Sequence, residues 1–306
     1  MKIVFMGTPA AAVPTLERIV KDGHEVAAVY SQPDRPSGRG NRISFSPVKQ
    51  FAVDNGLPVF QPVKIKIPET IETFRGHGAD VAVVVAYGRI LPETFLDAYP
   101  KGAINVHFSL LPRYRGAAPV NWAIVNGETR TGVTTMKMDA GLDTGGILLK
   151  RETEIGEGET APELMRRLAL LGADLLSETL AMRDELVPQP QDESLATFAP
   201  IMRKEDGAID WNMSARDITN RVRGFQPFPT AFTSYQGRKL TLWKAAEAGR
   251  PANSPGEILE ARGDNLLVSC GSGALRIDEL QIEGKRRMPV RDFLNGSKVQ
   301  AGEILG

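Results

Sequence analysis

The segment that most constrains the fold is residues 80–86, DVAVVVA, which is apolar at every position after its first aspartate. A strand with one face in water alternates apolar and polar residues, so this strand must be covered on both faces. Strand-like and helix-like segments alternate before it, in KIVFM, an amphipathic stretch at 14–21 and EVAAVYS at 25–31. This alternation predicts βαβ units and an α/β fold with a mostly parallel sheet.

Two domains are expected because 306 residues, 42% of them hydrophobic, exceed the length at which a single core is the commonest solution. A helical pattern runs from Ala161 to about Leu186, and residues 188–198, PQPQDESLATF, are then poor in large apolar side chains. Short β-rich segments such as KLTLWKA and NLLVSC follow, which favours a small antiparallel barrel or sandwich. We therefore predict a first domain at 1–187, a linker at 188–205 and a second domain at 206–306.

The composition excludes several classes of protein. Thirty-seven basic residues balance 37 acidic ones, so no global field attracts nucleic acid or anionic lipid, and any polyanion must bind a local patch. Cys270 is the only cysteine, which excludes an intrachain disulfide and favours a reducing compartment. The chain has neither a secretory signal pattern nor an apolar run of about 18 residues. We expect a soluble, cytoplasmic protein without a membrane partner.

Polar residues that could carry chemistry follow the buried strand in AINVHFS, residues 103–109. Asn105 and His107 are two positions apart on a predicted strand, so their side chains point to the same face. They precede the point where the chain leaves the sheet, where ligands of open α/β sheets bind. The alternative is a hydrogen-bonded pair that only closes the strand end, and the pattern alone leaves both interpretations open.

Asp143 is the candidate carboxylate, in the segment MDAGLDTGG at 138–146. Glycines on either side of it permit positive φ angles and tight turns that could direct the carboxylate inward. A turn-capping role is the alternative. Asp139 competes for the same function, but an aspartate just before a glycine turn is more typical of a structural cap.

If these three side chains meet, they suit acyl transfer without a covalent enzyme intermediate. An amide N–H can stabilise an oxyanion, an imidazole can exchange a proton near neutral pH, and a carboxylate can orient and charge the imidazole. Ser109 lies close to His107, but no Gly-x-Ser-x-Gly elbow accompanies it, so a hydrolase triad is disfavoured.

Nucleotide and metal sites are not indicated. The MGTP turn near the start lacks both the Gly-x-Gly-x-x-Gly fingerprint and a phosphate loop. The three histidines, His24, His77 and His107, are far apart in sequence and cysteine ligands are nearly absent, so we predict no metal.

A basic segment at 31–47, SQPDRPSGRGNRISFSP, shows no apolar periodicity and is expected to be an exposed loop. Its arginines, Arg35, Arg39 and Arg42, could grip a phosphate backbone or could simply be a solvated charged turn. Composition does not decide between these interpretations.

Five motifs then occur together and in order: FMGTP, QPDRPSGRG, VAYGRILP, INVHFSLLPRYRGAAP and MDAGLDTG. With them the chain resembles the methionyl-tRNA formyltransferases, and FQPFPTAF and GKRRMPVRDFLNG extend the resemblance over its whole length. The resemblance implies a Rossmann-like formyltransferase domain followed by an OB-like barrel. It also implies formyl transfer from 10-formyltetrahydrofolate to the amino group of methionyl initiator tRNA, in translation initiation. We expect a monomer.

The resemblance also implies site residues. The family's catalytic residues fall on Asn105, His107 and Asp143. Its folate-binding residues fall on the loop Ser109, Leu110, Leu111 and Pro112, with Tyr87 and Gly88 as the opposite wall. Its tRNA-binding loop falls on residues 35–42, with Arg39 as the wedge that enters the acceptor end.

The chain departs from the family pattern at three places, where Phe108 replaces Gly, Ala10 and Ala11 replace Asp-Phe, and Tyr114 replaces Trp. Phe108 stands between His107 and Ser109, so we expect it to crowd the folate pocket or alter its loop. Three other functions remain open: a sugar-nucleotide formyltransferase, a formyltetrahydrofolate hydrolase and a non-catalytic RNA-binding protein. Ala117 in RGAAP, where sugar enzymes commonly have Arg, favours the tRNA enzyme.

Overall fold

The computed structural model describes residues 1–37 and 42–306, and backbone contacts divide the chain into two compact units. The first unit comprises Met1–Gly116, Thr131–Thr153 and Met165–Phe198. The second comprises Ala117–Arg130, Glu154–Leu164 and Ala199–Gly306. Neither unit is continuous in sequence, and the boundaries expected from composition, at 187 and 206, stay a prediction.

The secondary structure follows the predicted alternation in the first half of the chain and is β-rich towards the end. The described strands are β1 (Lys2–Gly7), β2 (Glu25–Tyr30), β3 (Arg35–Ser37), β4 (Arg42–Ser44), β5 (Val59–Phe60), β6 (Val81–Val85), β7 (Ala103–His107), β8 (Arg115–Gly116), β9 (Arg130–Lys137), β10 (Ile147–Glu154), β11 (Phe198–Ala199), β12 (Ala231–Tyr235), β13 (Arg238–Ala248), β14 (Ile258–Arg262), β15 (Asn265–Ser269), β16 (Ala274–Ile282) and β17 (Met288–Pro289). The described α-helices are α1 (Val13–Lys21), α2 (Pro47–Asp54), α3 (Pro68–Gly76), α4 (Glu93–Leu96), α5 (Pro119–Val125), α6 (Ala161–Ala181), α7 (Ala215–Gly224) and α8 (Val290–Gly296).

The first unit is built on a sheet with the strand order β10-β9-β7-β6-β1-β2-β5. The pairs from β7 to β5 are parallel, and β9 runs antiparallel to β7. Every residue of β6 is buried, which confirms the central strand predicted from DVAVVVA. β7 is likewise fully buried, and its carboxyl end delivers Asn105 and His107 to the edge of the sheet.

The core on one side of this sheet is aromatic. Phe74 of α3 stacks on Phe95 of α4 with ring centroids 4.1 Å apart and also contacts Tyr99 and Tyr30. Burial of these rings, which are at most 5% exposed, fixes the short helices against β6 and its neighbours. These rings cover one face of the sheet. Its parallel pairs, from β7 to β5, confirm the mostly parallel sheet expected for the first half.

The second unit contains an antiparallel sheet in the order β12-β13-β16-β15-β14, with β17 paired to β16. Its core includes Leu240, Leu242, Val268, Ile277 and Leu280, all fully buried. The KLTLWKA and NLLVSC segments thus form β13 and β15, as the turn spacing predicted.

The basic segment at 31–47 differs from expectation. Ser31 is fully buried, and β3 pairs with β4 as an antiparallel ribbon with Arg35 opposite Ser44. The expectation of a loop without strands was wrong for residues 35–37 and 42–44, because short strands of polar residues carry no apolar periodicity, and residues 38–41 lie outside the described part of the chain. Across 1–37 and 42–306, no helix has the length and apolarity needed to cross a bilayer.

Candidate active site

The three predicted catalytic side chains converge at the carboxyl end of β7. Asn105 Nδ2 lies 3.4 Å from Asp143 Oδ1, and His107 Nδ1 lies 3.6 Å from Asp143 Oδ2. Asn105 and His107 are only 8% and 5% exposed. The alternation of the strand places both on one face, as predicted, and a segment 36 residues further along brings the carboxylate to them.

The hydrogen bond of His107 to the backbone defines its tautomer. His107 Nε2 lies 2.9 Å from the backbone oxygen of Tyr114, which can only accept, so Nε2 carries the hydrogen. The nitrogen left to exchange a proton is Nδ1, on the side of Asp143. In this tautomer the lone pair of the ring lies on Nδ1 and faces the carboxylate.

Asp143 is held in an uncommon conformation, with φ at +54°. Its Oδ2 accepts a hydrogen bond of 2.8 Å from the backbone N–H of Gly116. The neighbouring glycines Gly141 and Gly145 do not have positive φ angles, contrary to expectation. Gly145 is required for space instead, because a Cβ there would lie 1.9 Å from the backbone oxygen of Lys137.

Asp139 has the structural role proposed for it. Its Oδ1 accepts hydrogen bonds from the backbone N–H of Gly141, at 3.1 Å, and from Thr144 Oγ1, at 2.7 Å. This Asx-type cap stabilises the turn that leads into Asp143. The structural cap predicted for Asp139 is therefore present.

Three residues that sequence reasoning missed support Asp143. Gln191 Nε2 donates to the backbone oxygens of Asp143 and Gly145, both at 2.8 Å. Gln191 Oε1 accepts from Arg115, whose guanidinium also forms a two-point ion pair with Glu193. This pairing with Glu193 raises the pKa of Arg115. Gln191 and Glu193 lie in the segment expected to be a linker, and nothing in its local pattern signals a contact with residue 143.

The predicted folate loop, residues 109–112, is folded tightly onto the sheet. Ser109 is fully buried and its Oγ donates to the backbone oxygen of Arg113 at 2.6 Å. Thr134 Oγ1 bridges the loop by donating to the oxygen of Ser109 and accepting from the N–H of Leu111. Leu111 and Pro112 are buried and Leu110 is half-buried, so most of these side-chain surfaces pack inside the protein.

A cavity of about 140 Å³ adjoins Asp143. Its walls are mostly apolar, and the lining residues are Arg89, Ile90, Leu91, Met136, Met138, Asp139, Ala140, Gly141, Leu142 and Asp143. Ile90 and Leu142 are 77% and 55% exposed, so the cavity is edged by apolar side chains that face solvent. Three of the lining residues, Arg89, Ile90 and Leu91, lie in the VAYGRILP motif directly after Gly88. The sequence-based site stopped at Gly88, and extending it to the end of the motif would have included them.

Tyr87 and Gly88, the expected opposite wall, are not among the residues that line this cavity. The Tyr87 ring is 2% exposed and packs in the core beneath the sheet edge. Its backbone oxygen accepts hydrogen bonds from Thr8 Oγ1, just after β1, and from Gln32 Nε2, just after β2, which tie the ends of both strands to the end of β6. Gly88 is exposed.

The side chain of Phe108 points away from the trio. A Cβ on Gly172 of α6 would lie 3.5 Å from Phe108 Cε1 and 2.9 Å from Val106 Cγ1, so both side chains face that helix. The expectation that Phe108 crowds the pocket was wrong, because strand alternation puts residues 106 and 108 on the face opposite residues 105 and 107.

The predicted tRNA-binding arginines are only partly described. Arg35 lies on β3 and Arg42 on β4, where Ser37 is opposite Arg42 in the ribbon. Arg39 lies outside the described residues.

Comparison with known proteins places the whole chain in one family. The formyl transferase family model matches residues 1–180, and the model for the formyl transferase C-terminal domain matches residues 201–298. The methionyl-tRNA formyltransferase of Solibacter usitatus is 55% identical over 309 residues, covering 100% of this chain and 99% of that protein. That of Citrifermentans bemidjiense is 53% identical over 308 residues, covering 100% and 96%.

A solved structure shows the same fold at lower identity. The methionyl-tRNA formyltransferase from Clostridium thermocellum superimposes with a TM-score of 0.58 at 19% identity, covering 82% of this chain and 95% of that one. The full-length relatives are far more similar in sequence. Since they align from end to end at over 50% identity, the chain belongs to the methionyl-tRNA formyltransferase family.

Proposed function

We propose that this protein transfers the formyl group of 10-formyltetrahydrofolate to the α-amino group of methionyl initiator tRNA, in the cytoplasm, as a monomer, in translation initiation. Membership of the family supports the reaction. The observation that carries the proposal is the convergence of an amide, an imidazole and a carboxylate, from Asn105, His107 and Asp143, beside an apolar cavity. No metal takes part in the proposed reaction.

The cavity is suited to the folate. Flat ring systems bind between apolar walls with a few polar groups that fix their orientation. Met136, Met138 and Leu91 supply such walls, and the turn at 139–143 supplies backbone polar groups. Because Asp143 lies at the same cavity, a formyl group on a ring bound there would be near the trio.

The proposed mechanism assigns one task to each side chain. The α-amine forms a bond to the formyl carbon, and an N–H of Asn105 stabilises the negative charge that develops on the formyl oxygen. His107 Nδ1 takes the proton of the attacking amine. Breaking the bond between the formyl carbon and the folate nitrogen completes the transfer, and that nitrogen receives the proton.

Asn105 can perform this task because its present hydrogen bond is weak. Its Nδ2 lies 3.4 Å from Asp143 Oδ1, at the long limit for a hydrogen bond, so redirecting the N–H to an oxyanion costs little. When His107 takes up the proton of the amine, the negative charge of Asp143 stabilises the imidazolium that forms. The Asp143 side chain is only 14% exposed, so solvent screens this interaction little.

Contacts with tRNA are proposed for the ribbon of β3 and β4. The antiparallel pairing brings Arg35 and Arg42 into one short element, and basic side chains on such an element can follow a phosphate backbone. We propose Arg39 as the residue that enters the acceptor end, on the resemblance alone.

Replacing Asn105 tests the reaction assignment. The Asn105→Ala protein should transfer formyl to methionylated initiator tRNA about 100-fold more slowly or worse, because one oxyanion donor is lost. Its melting temperature should match that of the wild type. Asn55→Ala, at an exposed asparagine, serves as the control and should keep full turnover.

The same assay separates the alternatives. Wild-type protein is given formyltetrahydrofolate with methionylated initiator tRNA, uncharged tRNA, an amino-sugar nucleotide or water alone. Transfer to the amino sugar or release of free formate at comparable rates would contradict the proposal, as would unchanged turnover in Asn105→Ala.

A further inference from the structure

We infer that Gln191 is a positioning residue that sets the conformation of Asp143 and thereby its alignment with His107. The inference rests on the proposed function, since it gives Gln191 a role in the same site. Gln191 touches none of the three catalytic side chains at their reacting atoms. It acts on the backbone that carries one of them.

Asp143 needs such support because its backbone is strained. A non-glycine residue at φ +54° lies in a sparsely populated region that the surrounding structure must enforce. The hydrogen bond from Gly116 N–H holds only the carboxylate. The backbone is held separately, through the carbonyl oxygens of Asp143 and Gly145.

One side-chain amide holds both carbonyls. The two N–H bonds of Gln191 Nε2 donate to the oxygens of Asp143 and Gly145, each at 2.8 Å, so they fix the chain on both sides of Thr144. Only a group with two donors on one atom can do this in a neutral side chain of this length. The two donors of the Gln191 amide thus correspond to the two carbonyl acceptors of the turn.

The amide is itself anchored at its other end. Gln191 Oε1 accepts from Arg115 Nε at 3.1 Å and from Nη2 at 2.8 Å. Arg115 is 2% exposed and is held in turn by Glu193. The residue after Arg115 is Gly116, whose N–H holds the Asp143 carboxylate, so one anchor serves both the backbone and the side chain of Asp143.

The segment that carries Gln191 is docked independently of the site. The backbone N–H and oxygen of Gln189 pair with Ile147 at the start of β10, both at 2.8 Å. The side chain of Gln189 is exposed and, among the residues that the structure describes, donates to the oxygen of Val187, two residues away. Gln189 is therefore a matched control for Gln191, because it has the same side chain in the same segment.

Gln191→Glu is the discriminating variant. One oxygen of the new carboxylate keeps the contact with Arg115, but the other replaces the donating nitrogen with an acceptor that faces the carbonyl oxygens of Asp143 and Gly145. A residue that only docks the segment would tolerate this change. For a positioning residue, we expect kcat of formyl transfer to fall about 10- to 100-fold, with KM for methionyl-tRNA unchanged and the melting temperature retained. Gln189→Glu should behave as the wild type.

A double-mutant cycle tests whether the effect passes through Asp143. Adding Gln191→Met to Asp143→Asn should lower kcat much less than adding it to the wild type, because both changes remove the same alignment. Fully additive losses, or a Gln191→Glu protein with wild-type kcat, would overturn the inference. A wild type that is inactive on methionyl-tRNA would contradict the proposed function itself.

A measurement that does not depend on activity tests the positioning role of Gln191 separately from the proposed formyl transfer. The chain has three histidines, so their ring nitrogens can be followed by ¹⁵N NMR. Gln191→Glu should shift the His107 signals in the direction that Asp143→Asn shifts them, leaving His24 and His77 unchanged. Unmoved His107 signals would overturn the inference whatever the enzyme transfers.

Discussion

At the scale of single residues, the site depends on one aspartate that combines a strained backbone with a directed side chain. The glycines near Asp143 led us to expect that they would carry the unusual dihedral angles. The structure shows that Asp143 carries the left-handed φ itself, while Gly145 permits close approach to Lys137. Sequence reasoning predicted that residue 143 would direct a carboxylate inward but gave the wrong reason for its neighbouring glycines, because a glycine pattern does not tell positive φ from lack of space.

This assignment predicts different behaviour for two substitutions of Asp143. Asparagine tolerates the left-handed region and can still accept from Gly116, so Asp143→Asn should keep the wild-type free energy of unfolding. Alanine tolerates that region less well, so Asp143→Ala should lose about 1 kcal/mol or more. Both should lower formyl-transfer turnover about 100-fold or more, because His107 loses its carboxylate.

Denaturant unfolding and steady-state kinetics of the two proteins check this prediction. Equal stability in both would mean that φ at residue 143 relaxes without cost. Full turnover in Asp143→Asn would mean that the carboxylate does not assist His107.

At the scale of elements, β7 serves two functions through its two faces. Asn105 and His107 face the site, whereas Val106 and Phe108 face α6 where Gly172 lies. A large side chain at residue 108 is accommodated because the helix has no side chain at the contact. The strand alternation was sufficient to predict this direction for Phe108. Crowding of the pocket was expected because the sequence does not show that a helix covers the face to which Phe108 points.

Gly172→Ala should therefore destabilise the protein, against the usual trend. Alanine in a helix interior is ordinarily favoured over glycine by about 1 kcal/mol. Here the new Cβ would lie 2.9 Å from Val106 Cγ1, and overpacking typically costs about 1–3 kcal/mol. We expect a net loss of about 1 kcal/mol in the free energy of unfolding, with turnover retained below the melting temperature.

The matched control is Gly76→Ala at the end of α3, where an added Cβ would have no atom within 4 Å. This protein should be as stable as the wild type or slightly more so. A Gly172→Ala protein with a raised melting temperature would show that β7 and α6 separate easily.

At the scale of the whole molecule, the chain does not form its two units in sequence order. Residues 117–130 and 154–164 belong with the C-terminal unit although they lie within 1–187, the predicted first domain. α5 is held there by α7: Asn121 Nδ2 donates to the oxygen of Gly224 at 2.7 Å, and Trp122 meets Phe225 edge-on at 5.6 Å. Composition could not indicate this, because a helix of seven residues gives no sign of its partner.

A fragment ending at residue 187 should consequently behave as an incomplete domain. Without α7, the buried side chains of α5, including Ile124 and Val125, would be exposed to solvent. We expect the fragment 1–187 to bind a hydrophobic dye and to self-associate in light scattering, unlike the full chain. Co-expression of residues 188–306 as a separate chain should reverse both effects. A monomeric fragment that binds no dye would instead support the simple boundary.

Local sequence patterns predicted the features that repeat over a few residues: the buried central strand at 81–85, the parallel sheet around it, and the shared face of Asn105 and His107. Such features are local because side-chain burial follows the period of a strand or helix. The contact of Gln191 with the backbone of Asp143, 48 residues away, and the packing of α5 against α7 could be seen only in the folded chain. Contacts between distant positions form when the chain folds back on itself, and they leave no periodic pattern from which they could be predicted.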